Sequence, residues 1–225
     1  MASAWLFFKE FLRHPSEIAA VLPTSRALAN AMVESGVEIV GRRFSPLRVL
    51  EIGAGTGAIT RRLIEVLSPK DELVVIETNP LFFEQLQHTI GQLKKEHSST
   101  CPRVKTIRGN FPEALGNISP GFHWVITSVP FNAFSREKAL YLFEHMYALV
   151  QNQGVLVFQD YPLMRKMNNW ARNLCQKWSK AGIPRLNTLF KDSPTVPIPK
   201  IHRQFVLWNM PPAIAFCLEK ISTKP

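Results

Sequence analysis

Two runs in this 225-residue chain bring together residue types that can do chemistry. The first is Val49-Leu50-Glu51-Ile52-Gly53-Ala54-Gly55-Thr56-Gly57-Ala58-Ile59-Thr60. An apolar strand there runs into a glycine turn that lets a ligand approach the backbone, and a helix begins with free N–H groups. Glu77 closes the next apolar run 24 residues after Gly53, where a carboxylate is placed to accept both hydroxyls of a ribose. The second run is Thr127-Ser128-Val129-Pro130-Phe131-Asn132-Ala133-Phe134. A proline–aromatic pair beside a hydroxyl and an amide suits an amine acceptor, since the ring can hold a cationic nitrogen and the polar groups can orient it. Ser128, Phe131 and Asn132 are therefore the candidate acceptor-site residues.

These runs need a scaffold, and the pattern of the chain supplies one. Apolar strands are expected at Arg48–Ile52, Leu73–Glu77, Val104–Ile107, His123–Ser128 and Gly154–Gln159. Helices are expected between them at Ala58–Leu67, Leu81–Lys95 and Glu137–Val150. Strands and helices alternating at this spacing give an α/β fold with a parallel sheet and helices on both faces. Ligands of such sheets sit at the carboxyl ends of the strands, which is where both runs fall. Arg203–Trp208 and Ile214–Lys220 are joined by only a short Asn209–Pro212 link, too short for a crossover, so they are expected to pair antiparallel as a hairpin. The proline-rich stretch 184–200 reads as a long loop. Residues 3–13 have a helical pattern, and Thr24 or Ser25 caps a second helix to about Ser35. The expected organisation is a helical N-terminal extension or lid over residues 1–40 and a main domain over 41–225.

The glycine run separates two cofactor classes. A dinucleotide fingerprint is G-x-G-x-x-G, whereas this chain has G-x-G-x-G preceded by an acid. That pattern resembles motif I of the class I, Rossmann-like methyltransferases. The resemblance implies a mostly parallel seven-stranded sheet with an antiparallel terminal hairpin, and S-adenosyl-L-methionine as cofactor. It further implies that Glu51, Gly53, Gly55 and Gly57 line the methionine end of the cofactor and that Glu77 holds the ribose. Asn110 stands where that family bonds the adenine amino group, and Phe111 beside it could stack on the adenine or simply fill the core.

More of the chain resembles the bacterial phospholipid N-methyltransferases. Phe11-Leu12-Arg13-His14-Pro15, Leu22-Pro23-Thr24-Ser25-Arg26-Ala27-Leu28-Ala29, the Thr127–Phe134 loop and Trp208-Asn209-Met210-Pro211-Pro212-Ala213 are similar to that family's blocks in order and spacing. This implies an enzyme that methylates phosphatidylethanolamine or a related amino-phospholipid. The same loop is also similar to the Asn-x-Pro-Tyr motif of the rRNA adenine dimethyltransferases, with Ser128 in place of the leading Asn, so RNA base methylation is the alternative. A third reading is a non-catalytic cofactor-binding protein that adheres to membrane or nucleic acid. Asp160, Tyr161 and Glu51 stand near strand ends as candidate proton acceptors, unranked, whereas His14, His123 and His202 read as structural.

Composition limits the partners. Apolar residues make up 46% and charged residues 20% of the chain, enough to build a core and incompatible with a disordered polymer. Lys and Arg number 27 against 17 acidic residues, and residues 160–225 hold 11 basic and 3 acidic groups, a local net of +8. Such one-sided charge points to an anionic partner, a membrane surface or, as runner-up, RNA. Aromatic-rich residues 3–13 and the basic stretch 163–180 are the candidate membrane-facing helices. Cys101, Cys175 and Cys217 are too scattered for a metal site or a disulfide framework. No spanning segment or leader is recognisable, and the expected location is the cytoplasm, peripheral on the inner face of the membrane.

Overall fold

The computed structural model describes residues 24–41, 43–116, 118–129, 131, 134–161, 200–209 and 212–221. Ser25 caps the first described helix, α1 (Arg26–Val40), its hydroxyl accepting the Leu28 N–H at 3.2 Å. Strand β1 (Arg48–Ile52) leads into α2 (Ala58–Val66), β2 (Glu72–Glu77), α3 (Pro80–Glu96) and β3 (Arg103–Arg108). Then come β4 (Phe122–Thr127), α4 (Arg136–Leu149), β5 (Val150–Asp160), β6 (Lys200–Val206) and β7 (Ala213–Glu219).

The strands form one seven-stranded sheet in the order β3-β2-β1-β4-β5-β7-β6. The first five are parallel, and β7 runs antiparallel to both β5 and β6. Each parallel strand after the first is reached through a helical or looped crossover, so all five carboxyl ends open on one edge. That edge carries the site.

Each face of the sheet has its own core. On one side α1, α2 and α3 bury Leu28, Met32, Val33, Leu63 and Leu86 against Val49, Val75 and Trp124. On the other, α4 brings Phe143 and Met146 against Leu50, Val125, Leu156 and Phe158. Fully burying an aliphatic or aromatic side chain contributes about 1.5–3 kcal/mol, so these two layers hold the strands in register. Helix α1 is integral to the fold although its residues fall in the expected N-terminal extension. A Cβ on Gly36 would stand 2.3 Å from the indole of Trp124, so only glycine lets this helix lie against β4.

The expected strands and helices recur within a few residues of their bounds. The largest differences are α1, which runs to Val40 instead of about Ser35, β5, which begins at Val150 instead of Gly154, and β6, which ends at Val206 so that Leu207 and Trp208 belong to the turn. The expected helices 3–13 and 163–180, and all but the last residue of the expected loop 184–200, lie outside the described residues. Cys101 and Cys217 are free thiols, and no metal-binding cluster occurs among the described residues. No described helix is long and apolar enough to cross a membrane.

Candidate active site

The β1–α2 turn is built by its glycines. Gly53 has φ +73°, and an added Cβ would meet Val129 at 2.8 Å, so the turn can form only without a side chain there. Gly57, at φ +92°, caps α2 and lets it close on Leu86 and Thr89 of α3. It packs helix on helix and does not line the cavity at the sheet edge, which corrects its expected place at the cofactor.

Glu77, at the end of β2, is buried and reaches across to this turn. One carboxylate oxygen accepts the Gly55 N–H at 2.6 Å and the other the Asn79 N–H at 2.8 Å. The carboxylate keeps acceptor capacity for a ligand hydroxyl. Burial pushes the Glu77 carboxyl above its ordinary value, opposed by the amide hydrogen bonds from Asn79, Gly55 and Thr78.

Glu51 differs from its expected place too. It is wholly buried beneath the turn, where one oxygen accepts the Thr60 hydroxyl at 2.6 Å and the other has no partner among the described residues. Burial raises its pKa to about 8, with the nearby Glu77 charge adding to the shift and the Thr60 hydroxyl opposing it. Glu51 therefore ties β1 to the first turn of α2 and is not a cavity-lining carboxylate.

Three side chains stitch the β4 loop to this turn. Thr127 donates its hydroxyl to the Ile52 carbonyl at 3.0 Å, Ser128 donates its hydroxyl to the Gly53 carbonyl, and the buried Gln159 donates to the Ser128 carbonyl at 3.0 Å. The two chemical runs of the sequence thus form one structure. Between them opens a cavity of about 770 Å³. Gly53, Gly55, Glu77, Asn110 and Phe111 line it, together with Ser128, Phe134, Lys138, Tyr141 and Met146.

Phe131 is a correction. It is 3% exposed and packs edge-on against Phe143 and Phe158, their ring centroids 6.2 and 5.5 Å away, so it is a core residue that does not line the cavity. The ring that faces the cavity from this loop is Phe134, with Lys138 Nζ 5.0 Å from its centroid. Asn132 lies outside the described residues. Asp160 and Tyr161, two of the candidate proton acceptors, are buried away from the cavity, and burial pushes the Tyr161 phenol up to about 12. His123 is structural, its Nδ1 accepting the Arg48 N–H at 2.8 Å.

Lys138, Tyr141, Leu142 and Met146 were not anticipated at the site. Their signal is helical spacing: 138, 142 and 146 recur every fourth residue along α4, directly after the β4 loop, so that face of the helix must border the site.

The cavity fits S-adenosylmethionine on three grounds. The glycine turn leaves backbone open to the ligand, a buried carboxylate with spare lone pairs ends β2, and an amide and an aromatic ring follow β3. The volume is also within the usual range for small-molecule sites.

Comparisons with known proteins agree. The family model for ribosomal RNA adenine dimethylase matches residues 23–111, less than half of the chain. The ornithine lipid N-methyltransferase of Singulisphaera acidiphila is 31% identical over 87 residues, which is 39% of this chain and 43% of that protein. The chain thus aligns with under half of that relative's length.

Solved structures match at greater length. An O-methyltransferase from Bacillus cereus in complex with S-adenosylhomocysteine superposes with a TM-score of 0.60 at 16% identity, covering 98% of this chain and 91% of that one. Magnesium protoporphyrin IX methyltransferase from Synechocystis, also with bound S-adenosylhomocysteine, gives 0.60 at 11% identity, covering 86% and 83%. The precorrin-6y C5,15-methyltransferase of Geobacter metallireducens gives 0.59 at 13% identity, covering 89% and 91%. With the strand order and the glycine turn already described, the chain has the fold of the class I S-adenosylmethionine-dependent methyltransferases.

Proposed function

We propose that this protein is an N-methyltransferase that methylates the amine of an amino-lipid head group, phosphatidylethanolamine or a related zwitterionic lipid, on the cytoplasmic face of a membrane. The observation that carries the reading is the hydrogen bond from the Ser128 hydroxyl to the Gly53 carbonyl. Its proton being engaged there, Ser128 has only lone pairs left for the cavity, and these accept from an amine N–H. S-adenosylmethionine, when bound, supplies a sulfonium methyl for in-line displacement by the amine nitrogen, leaving S-adenosylhomocysteine and a proton.

The remaining work is positioning. Glu77 and the glycine turn hold the cofactor, and Ser128 orients the amine toward it. Lys138, over the face of Phe134, has two uses. Its charge attracts the phosphate or carboxylate of a zwitterionic head group. A positive neighbour also disfavours the ammonium form of the acceptor and so favours the neutral nucleophile. The partial likeness to an ornithine lipid N-methyltransferase supports an amino-lipid over other amines.

Methylation of an RNA base is the second reading, favoured by the ribosomal RNA adenine dimethylase match. That match ends at residue 111, before Ser128 and the whole acceptor side. It therefore speaks for the cofactor half. The test is transfer of labelled methyl from S-adenosylmethionine into a whole-cell lysate, separated into lipid, nucleic acid and protein. Label in methylated ethanolamine or ornithine lipids is expected; label in RNA with none in lipid would overturn the reading.

A further inference from the structure

We propose that the β6–β7 turn is the element by which the protein docks on an anionic lipid bilayer, an inference that rests on the amino-lipid reading. Register fixes where this turn lies. Asp160 at the end of β5 pairs with Ile214, and Val206 pairs with Ala213. The turn therefore projects from the carboxyl edge of the sheet, the edge that holds the cavity.

Its side chains are arranged against water. Leu207 is 67% and Trp208 87% exposed, and Phe205 just before them is 56% exposed. The base of the turn is fixed: Asn209 is buried, and its side-chain oxygen accepts the Ser25 N–H at 3.1 Å, tying the turn to the start of α1. An anchored turn that presents a tryptophan and a leucine outward has the amphipathic character that suits a membrane interface.

Charge selects the partner. No acidic residue occurs between Asp192 and Glu219, and Arg203, exposed midway along β6, shares a strand face with the exposed Phe205 nearer the turn. A basic group on the same strand face as exposed apolar ones, with no acid nearby in the chain, matches an anionic bilayer, where the cation meets phosphates and the apolar tip meets acyl chains. A second copy of this chain would bring like charges together at the same strand. An RNA partner would leave Leu207 with no base edge or phosphate to engage.

Docking here also places the cavity mouth correctly. Tyr141, 46% exposed, lines the cavity on this same edge, and Leu81 is exposed in the first turn of α3, between the cavity-lining Pro80 and Phe82. A head group could then enter while its acyl chains stay in the bilayer.

The test is flotation of the full chain with vesicles of phosphatidylethanolamine and phosphatidylglycerol. The double variant Leu207→Ser/Trp208→Ser should lose about ten-fold or more of its vesicle partition. Its S-adenosylhomocysteine affinity and its methylation of a monomeric short-chain phosphatidylethanolamine should stay as in the unaltered chain. Leu207→Phe/Trp208→Leu, which keeps the tip apolar, should float. Ile221→Ser, exposed at the opposite edge of the sheet, should float too. Unchanged flotation of the double serine variant would overturn the proposal. So would loss of self-association or of RNA binding in its place. Flotation that depends on the turn, with no lipid methylated in any form, would uphold the docking surface and refute the acceptor.

Discussion

The Glu77 carboxylate accepts the Gly55 N–H at 2.6 Å, so the residue expected to hold the cofactor's ribose also holds the turn on which the cofactor would lie. Glu77→Ala removes both roles and strands two backbone donors. We expect cofactor affinity, measured by calorimetry with S-adenosylhomocysteine, to fall about 10–100-fold, or about 1.4–2.8 kcal/mol. Glu77→Gln, whose oxygen can still accept one of the two N–H groups, should fall less. An unaltered affinity in the alanine variant would show that the ligand binds elsewhere.

In the proposed reaction Ser128 orients the acceptor amine, whereas Glu77 is the residue expected at the cofactor's ribose. Ser128→Ala should therefore lower kcat by about ten-fold or more while the dissociation constant for S-adenosylhomocysteine changes little. A loss in cofactor affinity with kcat intact would reassign this hydroxyl to support of the glycine turn.

Glu51 gives the fold a dependence on pH. Its pKa in the folded chain is about 8, above the ordinary 4.5, so between those values the folded state holds a proton that the unfolded chain has released. The contribution is complete below the unfolded pKa and is lost as pH rises through the folded one. Thermal unfolding should thus show stability falling from pH 5 to pH 8 and levelling above. Glu51→Gln, a neutral mimic of the protonated acid, should flatten that decline. Equal slopes in the two proteins would mean that Glu51 is ionised in the fold.

Gly36 makes a packing prediction. The Cβ of Gly36→Ala would press on the Trp124 indole, and overpacking of this kind costs about 1–3 kcal/mol. Urea unfolding should show the loss with cofactor affinity unchanged below the transition. A stabilised variant, as alanine's helix propensity alone would give, would mean that α1 does not lie so close to β4.

Strand β1, its glycine turn and Glu77 were legible because their signals are local: an apolar run, residues free of a Cβ penalty, and a carboxylate one strand later. The same reading misplaced Phe131. A loop aromatic next to a proline looks identical in sequence whether it faces a ligand or the core, and here Phe143 and Phe158 draw it inward. Glu51 was misplaced for a similar reason, since alternation along a strand buried on both faces does not say which side chain meets solvent.

The sequence by itself determined the order of strands and helices, the closing hairpin and the cofactor class, because periodicity and turn chemistry are written in neighbouring residues. Only the tertiary structure decided which side chains share the cavity. Ser128 meets the Gly53 carbonyl across 75 positions of chain, and Lys138 and Tyr141 face the site only because α4 packs on the sheet beside it. Such contacts depend on how elements lie against one another: the spacing of 138, 142 and 146 defines a helix face, and packing decides which side chains on and beside it reach the cavity.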